Sequence, residues 1–284
     1  MGHYARLLPA FVRVYHPPMI AERSIDVAGR TIRYLDAGGG WPVVLLHAFP
    51  LASDMWRPQL ERVPQGWRFL APDLRGFGPA AKRPATSLRD MAEDVLGWLD
   101  ALRIDEATIG GSSMGGYVTL ALYGLAPDRF SAMVLANTRA TADTDEGRAA
   151  RDKMSALVRA SGPAAVADQM IPKLIGETSR TSRPHLPPLL RRLIEANTTD
   201  GIDGAIQAMK ERPDSTYLLP RVGRPALVIA GEQDSIIPNI ESEAMQRLLP
   251  RSHLVTIPGA GHLSNLEAPD QFSEALADFL RSHI

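Results

Sequence analysis

Short apolar runs recur along this chain, separated by stretches with helical spacing. Residues 42–46 (PVVLL), 132–135 (AMVL), 226–230 (ALVIA) and 253–257 (HLVTI) are unbroken enough to predict strands buried on both faces. Residues 31–36 (TIRYLD) predict another strand, ending in the turn Gly38-Gly39-Gly40. Residues 68–71 (RFLA) predict one ending at Pro72-Asp73, and residues 107–109 predict one leading into a glycine-rich stretch at 110–116. Helical spacing covers residues 88–99, where Met91, Val95, Trp98 and Leu99 share one side and Ser87 can cap the start. It also covers 117–125 and 269–280, the latter opening on a proline, a good first-turn residue. Alternation of this kind predicts an α/β fold: a mostly parallel, doubly wound sheet with helices on both faces.

One region breaks the rhythm. From 139 to 221 no buried-strand run occurs, and helical segments rich in Arg, Ala and Leu are punctuated by prolines such as Pro163, Pro172 and Pro213. An all-helical insertion between two strands is expected to cap the C-terminal edge of the sheet. Its Met154, Leu157, Met170, Ile171, Leu174, Leu189, Leu190, Ile206 and Met209 are read mainly as the insertion's own core. The expected organisation is therefore an N-terminal extension over 1–20, a core over 21–138 and 222–284, and a helical cap over 139–221.

Composition narrows the partners. Lys and Arg number 31 against 32 Asp and Glu, a net charge of -1, so no basic surplus exists to neutralise nucleic acid or anionic lipid. Neither a nucleic acid nor a membrane is expected as partner. Cysteine is absent, which removes disulfides, thiolate nucleophiles and cysteine-held metals. No run of roughly 18 apolar residues occurs, and the first 20 residues lack signal-peptide character, so a cytoplasmic location is expected.

The chemistry-bearing pattern is Gly111-Ser112-Ser113-Met114-Gly115, a G-x-S-x-G with Ser113 at its centre. A side chain presented at a sharp strand-to-helix turn has a strained backbone, and its neighbours two residues away crowd together, so glycine suits both flanks. A serine needs a base. Among seven histidines, His262 follows the strand HLVTI in Gly259-Ala260-Gly261-His262, at the strand end where α/β sheets carry their chemistry. Asp234 ends Gly231-Glu232-Gln233-Asp234, after the strand ALVIA, and can orient the imidazole; Glu232 is its nearest rival. His47-Ala48-Phe49-Pro50 follows the strand PVVLL. The backbone N–H groups of Phe49 and Met114 are the candidate donors to an oxyanion, with His47 and Trp56 read as structural.

Together with Asp73-Leu74-Arg75-Gly76-Phe77-Gly78, these motifs resemble the landmarks of bacterial α/β-hydrolase carboxylesterases and of related enol-lactonases and cofactor-free haloperoxidases or perhydrolases. The likeness runs over nearly the whole chain after residue 20 and includes Glu211-Arg212-Pro213-Asp214-Ser215-Thr216. It implies the α/β-hydrolase fold, the triad Ser113, Asp234 and His262, an oxyanion hole at Phe49 and Met114, and a small-molecule ester substrate. It implies no cofactor and no metal, and loop-fixing roles for Asp73 and Arg75. The family usually has glycine where this chain has Ala48, which matters if that backbone needs positive φ. Three functions stay open: carboxylesterase, lactonase of the 3-oxoadipate enol-lactonase kind, and a ligand-binding sensor with residual hydrolysis.

Overall fold

The computed structural model describes residues 19–79 and 84–283, so most of the expected N-terminal extension (1–20) lies outside the described residues. Eight strands form one sheet: β1 (Ala21–Val27), β2 (Arg30–Gly38), β3 (Gly40–Leu46), β4 (Gly66–Pro72), β5 (Ala107–Ser112), β6 (Phe130–Ala136), β7 (Ala226–Gly231) and β8 (Ser252–Ile257). Their spatial order is β1-β2-β4-β3-β5-β6-β7-β8, with β2 antiparallel to both its neighbours and every pair from β4 onward parallel. The helices are α1 (Arg57–Leu60), α2 (Leu88–Ala101), α3 (Met114–Leu125), α4 (Asp145–Leu174), α5 (Glu177–Ser182), α6 (Leu186–Glu195), α7 (Thr199–Lys210), α8 (Asn239–Leu248), α9 (Ser264–Glu267) and α10 (Pro269–His283).

The central strands are apolar because helices cover both their faces. All of β5 and β7 is buried, and Val43, Val44, Leu45 and Leu46 of β3 are at most 1% exposed. Each such side chain contributes about 1.5–3 kcal/mol by leaving water. β8 departs from the expectation of a strand buried on both faces. It pairs only with β7, and several of its residues are half-buried or exposed, because it is an edge. The start of α2 follows its sequence. Ser87 accepts from the Asp90 amide while the Asp90 carboxylate accepts from the Ser87 amide, satisfying two donors that a helix N-terminus leaves unpaired.

Register positions the site. Leu46 lies opposite Gly111, Ser112 opposite Ala136, Ala136 opposite Ile229, and Gly231 opposite Ile257. The C-terminal ends of β3, β5, β6, β7 and β8 are thus level, and the loops after them share one edge.

Between β6 and β7 lie α4–α7 and a 3-10 turn, with no strand. Gly162 (φ 73) breaks α4 into two arms just before Pro163. These helices reach the strand-end loops. Asn197 donates to the Pro50 carbonyl at 2.9 Å and accepts from the Gly78 amide at 3.0 Å. The Gly76 and Gly201 backbones touch so closely that a Cβ on Gly201 would stand 1.9 Å from the Gly76 carbonyl oxygen.

Candidate active site

Ser113 sits between β5 and α3 with φ 52 and ψ -114, a conformation that side-chain-bearing residues rarely adopt. Three glycines make this turn possible. A Cβ on Gly111 would stand 2.4 Å from the Gly115 carbonyl carbon, one on Gly115 would stand 2.1 Å from the Leu46 carbonyl oxygen, and one on Gly116 would stand 2.5 Å from Thr138. The turn is held from β6 as well. The Ser113 amide donates to Ala136 (2.9 Å), and the Thr138 hydroxyl donates to the Ser113 carbonyl (2.8 Å).

The structure brings Ser113, His262 and Asp234 into one hydrogen-bonded chain. His262 Nδ1 lies 2.8 Å and 3.0 Å from the two Asp234 carboxylate oxygens, and its Nε2 lies 2.8 Å from Ser113 Oγ. A carboxylate only accepts, so Nδ1 carries the proton and Nε2 offers its lone pair to the serine hydroxyl. Both side chains of the His262–Asp234 pair are almost fully buried.

Asp234 also accepts from the amides of Ile236 and Ile237, both at 2.9 Å, and from Asn137 Nδ2 at 3.0 Å. Burial alone would raise this carboxyl. The charge and hydrogen bond of His262, with the Ile237 and Asn137 donors, more than offset that and hold it below the ordinary carboxylate range. The rival Glu232 is engaged elsewhere, accepting from the Gly259 amide at 2.8 Å.

The Phe49 loop and the serine turn are in direct contact through Gly115 and Leu46. Phe49 and Met114 are both buried, and among the described residues neither amide donates to another protein atom. Ala48 does not adopt positive φ, so alanine brings no left-handed strain there; its amide is 3.1 Å from Met55 Sδ. His47, fully buried, accepts from the Leu74 amide through Nε2 (3.0 Å) and donates through Nδ1 to the Ala48 carbonyl (3.1 Å). Burial keeps its imidazole below the ordinary 6.5, against the opposing pull of Asp73 and the Ala48 carbonyl. Asp73 accepts from the Ser53 amide at 2.9 Å, and Arg75 donates to Asp94 at 2.6 and 2.7 Å, so both tie down loops away from the serine.

Sequence reasoning missed three contributors. Asn137 donates to Asp234 and to the Gly261 carbonyl (3.2 Å) and accepts from Ser264 Oγ (2.5 Å). It directly follows β6, so the strand-end rule that found Ser113 would also have found it. Glu267, 3% exposed, accepts from the amides of Gly176 (2.8 Å), Gly261 (2.9 Å) and Leu263 (3.1 Å), fixing the backbone on both sides of His262. Thr138 is the third. Thr138, the residue after Asn137, shares that strand-end position, whereas Glu267 carries no signal in its spacing. Among the described residues, no group of three or more His, Cys, Asp or Glu is placed to hold a metal, and no helix is long and apolar enough to cross a membrane.

Residues 42–269 match the family described as the alpha/beta hydrolase fold. An esterase from Thermogutta terrifontis, solved with malate bound, is 36% identical with a TM-score of 0.87, over 93% of this chain and 100% of that one. The 3-oxoadipate enol-lactonase 1 of Acinetobacter baylyi is 28% identical over 94% of this chain and 98% of its own. The dihydrolipoyllysine-residue acetyltransferase component of the acetoin cleaving system of Pseudomonas putida is 30% identical over 93% of this chain and 70% of its own. With a mostly parallel eight-stranded sheet and these relatives, the chain belongs to the alpha/beta hydrolase fold family and is a hydrolase.

Proposed function

We propose that this protein is a carboxylesterase cleaving small carboxylic esters through Ser113, His262 and Asp234. The observation that carries the reading is the hydrogen-bonded chain with 2.8 Å links from Asp234 to His262 and from His262 to Ser113. His262 Nε2 takes the Ser113 proton as Oγ bonds to the acyl carbon, and the carbonyl oxygen becomes an oxyanion held by the amides of Phe49 and Met114. The tetrahedral species collapses, the C–O bond breaks, and His262 delivers its proton to the leaving alcohol. Water then attacks the acyl-enzyme, gives its proton to His262, and releases the acid with Ser113 restored. Asp234 keeps Nδ1 protonated and stabilises the imidazolium formed at each step. The helices tied over the loops by Asn197 favour a small-molecule substrate over a polypeptide.

Likeness to the Acinetobacter enol-lactonase supports a second reading, lactone hydrolysis, since a lactone is a cyclic ester attacked by the same machinery. Esters of graded acyl length run beside an enol-lactone, with Ser113→Ala as control, separate the two. Turnover of p-nitrophenyl butyrate in a pure Ser113→Ala sample would refute the assignment of the nucleophile. A ligand-binding sensor is the outcome if wild type neither turns over the panel nor reacts with a fluorophosphonate.

A further inference from the structure

His253 and His283 take no part in this chemistry. One stands at the start of β8 on the open edge of the sheet and the other at the end of α10, and both line a groove of about 510 Å³. Their Nε2 atoms face each other at 3.1 Å, with ring centroids 4.9 Å apart. We propose that this pair is a binding site for a divalent transition-metal ion of the Zn²⁺, Ni²⁺ or Cu²⁺ class, bridging the sheet edge to the last helix.

The first support is distance. Two imidazole nitrogens each about 2.0–2.1 Å from one metal lie about 2.9 Å apart when cis at a right angle and about 3.4 Å apart in a tetrahedron. The observed 3.1 Å falls between these limits.

The second support is the tautomer. His283 Nδ1 lies 3.0 Å from the Phe279 carbonyl, which only accepts, so Nδ1 carries the proton and the outward Nε2 bears a lone pair. A second-shell bond of this kind orients metal-ligating imidazoles and fixes which nitrogen binds. Stacking on the Phe279 ring (5.0 Å, 27°) further holds the His283 ring. Without metal, His253 must donate its Nε2 proton to His283. Binding needs only the other tautomer of His253, with the proton on Nδ1 and the Nε2 lone pair free for the ion.

Imidazole donors select this class of ion over Mg²⁺ or Ca²⁺. No third His, Cys, Asp or Glu completes a cluster among the described residues, so water fills the remaining positions. The affinity is accordingly that of a two-imidazole site, and the effect is to clip β8 to α10 rather than to serve the reaction at Ser113.

The test is calorimetric titration of Zn²⁺ into the chelator-treated full chain, with Cu²⁺ electron paramagnetic resonance as a second readout. The expected result is one saturable site per chain, a melting temperature raised by Zn²⁺, and a two-nitrogen Cu²⁺ signature. His253→Ala and His283→Ala should each weaken binding at least tenfold and abolish the Zn²⁺-induced rise measured from each variant's own metal-free melting temperature, while leaving ester hydrolysis unchanged. Undiminished binding in the double variant would place the ion on other histidines, such as His262, and overturn the proposal. So would absence of saturable binding at millimolar Zn²⁺. Neither outcome touches the esterase reading, which is tested at Ser113.

Discussion

At Ser113 the backbone opposes the side chain's neighbours. Its φ of 52 and ψ of -114 cost free energy that glycine would not incur, while the hydroxyl needs that turn to meet His262 at 2.8 Å. Two variants that both lose the proposed nucleophile are therefore expected to differ in stability. Ser113→Ala keeps the strain, whereas Ser113→Gly relieves it and is expected to unfold about 1 kcal/mol later in urea, after glycine's greater unfolded-state entropy is subtracted. Equal midpoints would show that the turn stores no strain. The acid is separable in the same way. Asp234→Asn retains an oxygen for the Ile236 and Ile237 amides but loses control of the imidazole tautomer, so kcat should fall by about 10⁴-fold, with a lower melting temperature because the ionised carboxylate's contribution is lost. Glu232→Gln touches only the Gly259 amide and should stay within about twofold of wild type. The reverse ranking would hand the role to Glu232.

At the scale of elements, Arg212 shows what joins the helices after β6 to the rest. It is 4% exposed, donates to Asp143 and to the Met209 and Thr141 carbonyls at 2.9 Å each, and lies 4.1 Å over the ring of Tyr117, one turn past Ser113 on α3. Removing it takes the side-chain donor from the Thr141 carbonyl, while the Met209 carbonyl keeps its backbone donors, and takes one of three arginines from the buried Asp143, which keeps Arg139 and Arg151. Arg212→Ala should cost about 2–4 kcal/mol by chemical denaturation, and Arg212→Lys should recover only part, because an ammonium cannot reproduce the fork. A loss under about 0.5 kcal/mol would mean the cluster is ornamental.

Residues such as Arg212 also mark where reading from sequence stops. β3, β5, β6 and β7 were legible because burial on both faces forces continuous apolar runs. β1 (AERSIDV) was not, since an exposed edge strand alternates with charges and looks like loop. α3 begins at Met114, three residues before the helical pattern at Tyr117 becomes visible, because Gly115 and Gly116 read as a turn. The structure needs them there, where Leu46 and Thr138 leave no room for a Cβ. Ser113, Asp234 and His262 could be chosen because each follows a recognisable strand. Glu267 could not, and Arg212 was marked only by its family-like stretch without a role, since a polar residue on a helix or after one looks the same whether it faces water or closes a buried network.

For the whole molecule, the ionisable groups predict two separate losses of stability on acidification. His47 is fully buried and neutral, its pKa lowered by burial, while the unfolded chain titrates at the ordinary 6.5. Its contribution is therefore complete above 6.5 and is lost as pH falls below that value toward the folded one, because unfolding then takes up a proton. Asp234, Asp143 and Asp54 lie below the ordinary 3.8. In each, burial opposes ionisation, and the partners named by geometry (His262 for Asp234, Arg151 and Arg212 for Asp143, Arg57 and Arg33 for Asp54) outweigh it. Their contribution is present above 3.8 and lost as pH falls through the folded values. Melting temperature followed from pH 8 to pH 3 should hold level, decline gently below about 6.5, and fall steeply below about 4. His47→Gln, which still offers an acceptor to the Leu74 amide, should flatten the first decline at a lower overall melting temperature and leave the second intact. A first decline that survives this substitution would move its origin from the loop behind Phe49 to another histidine.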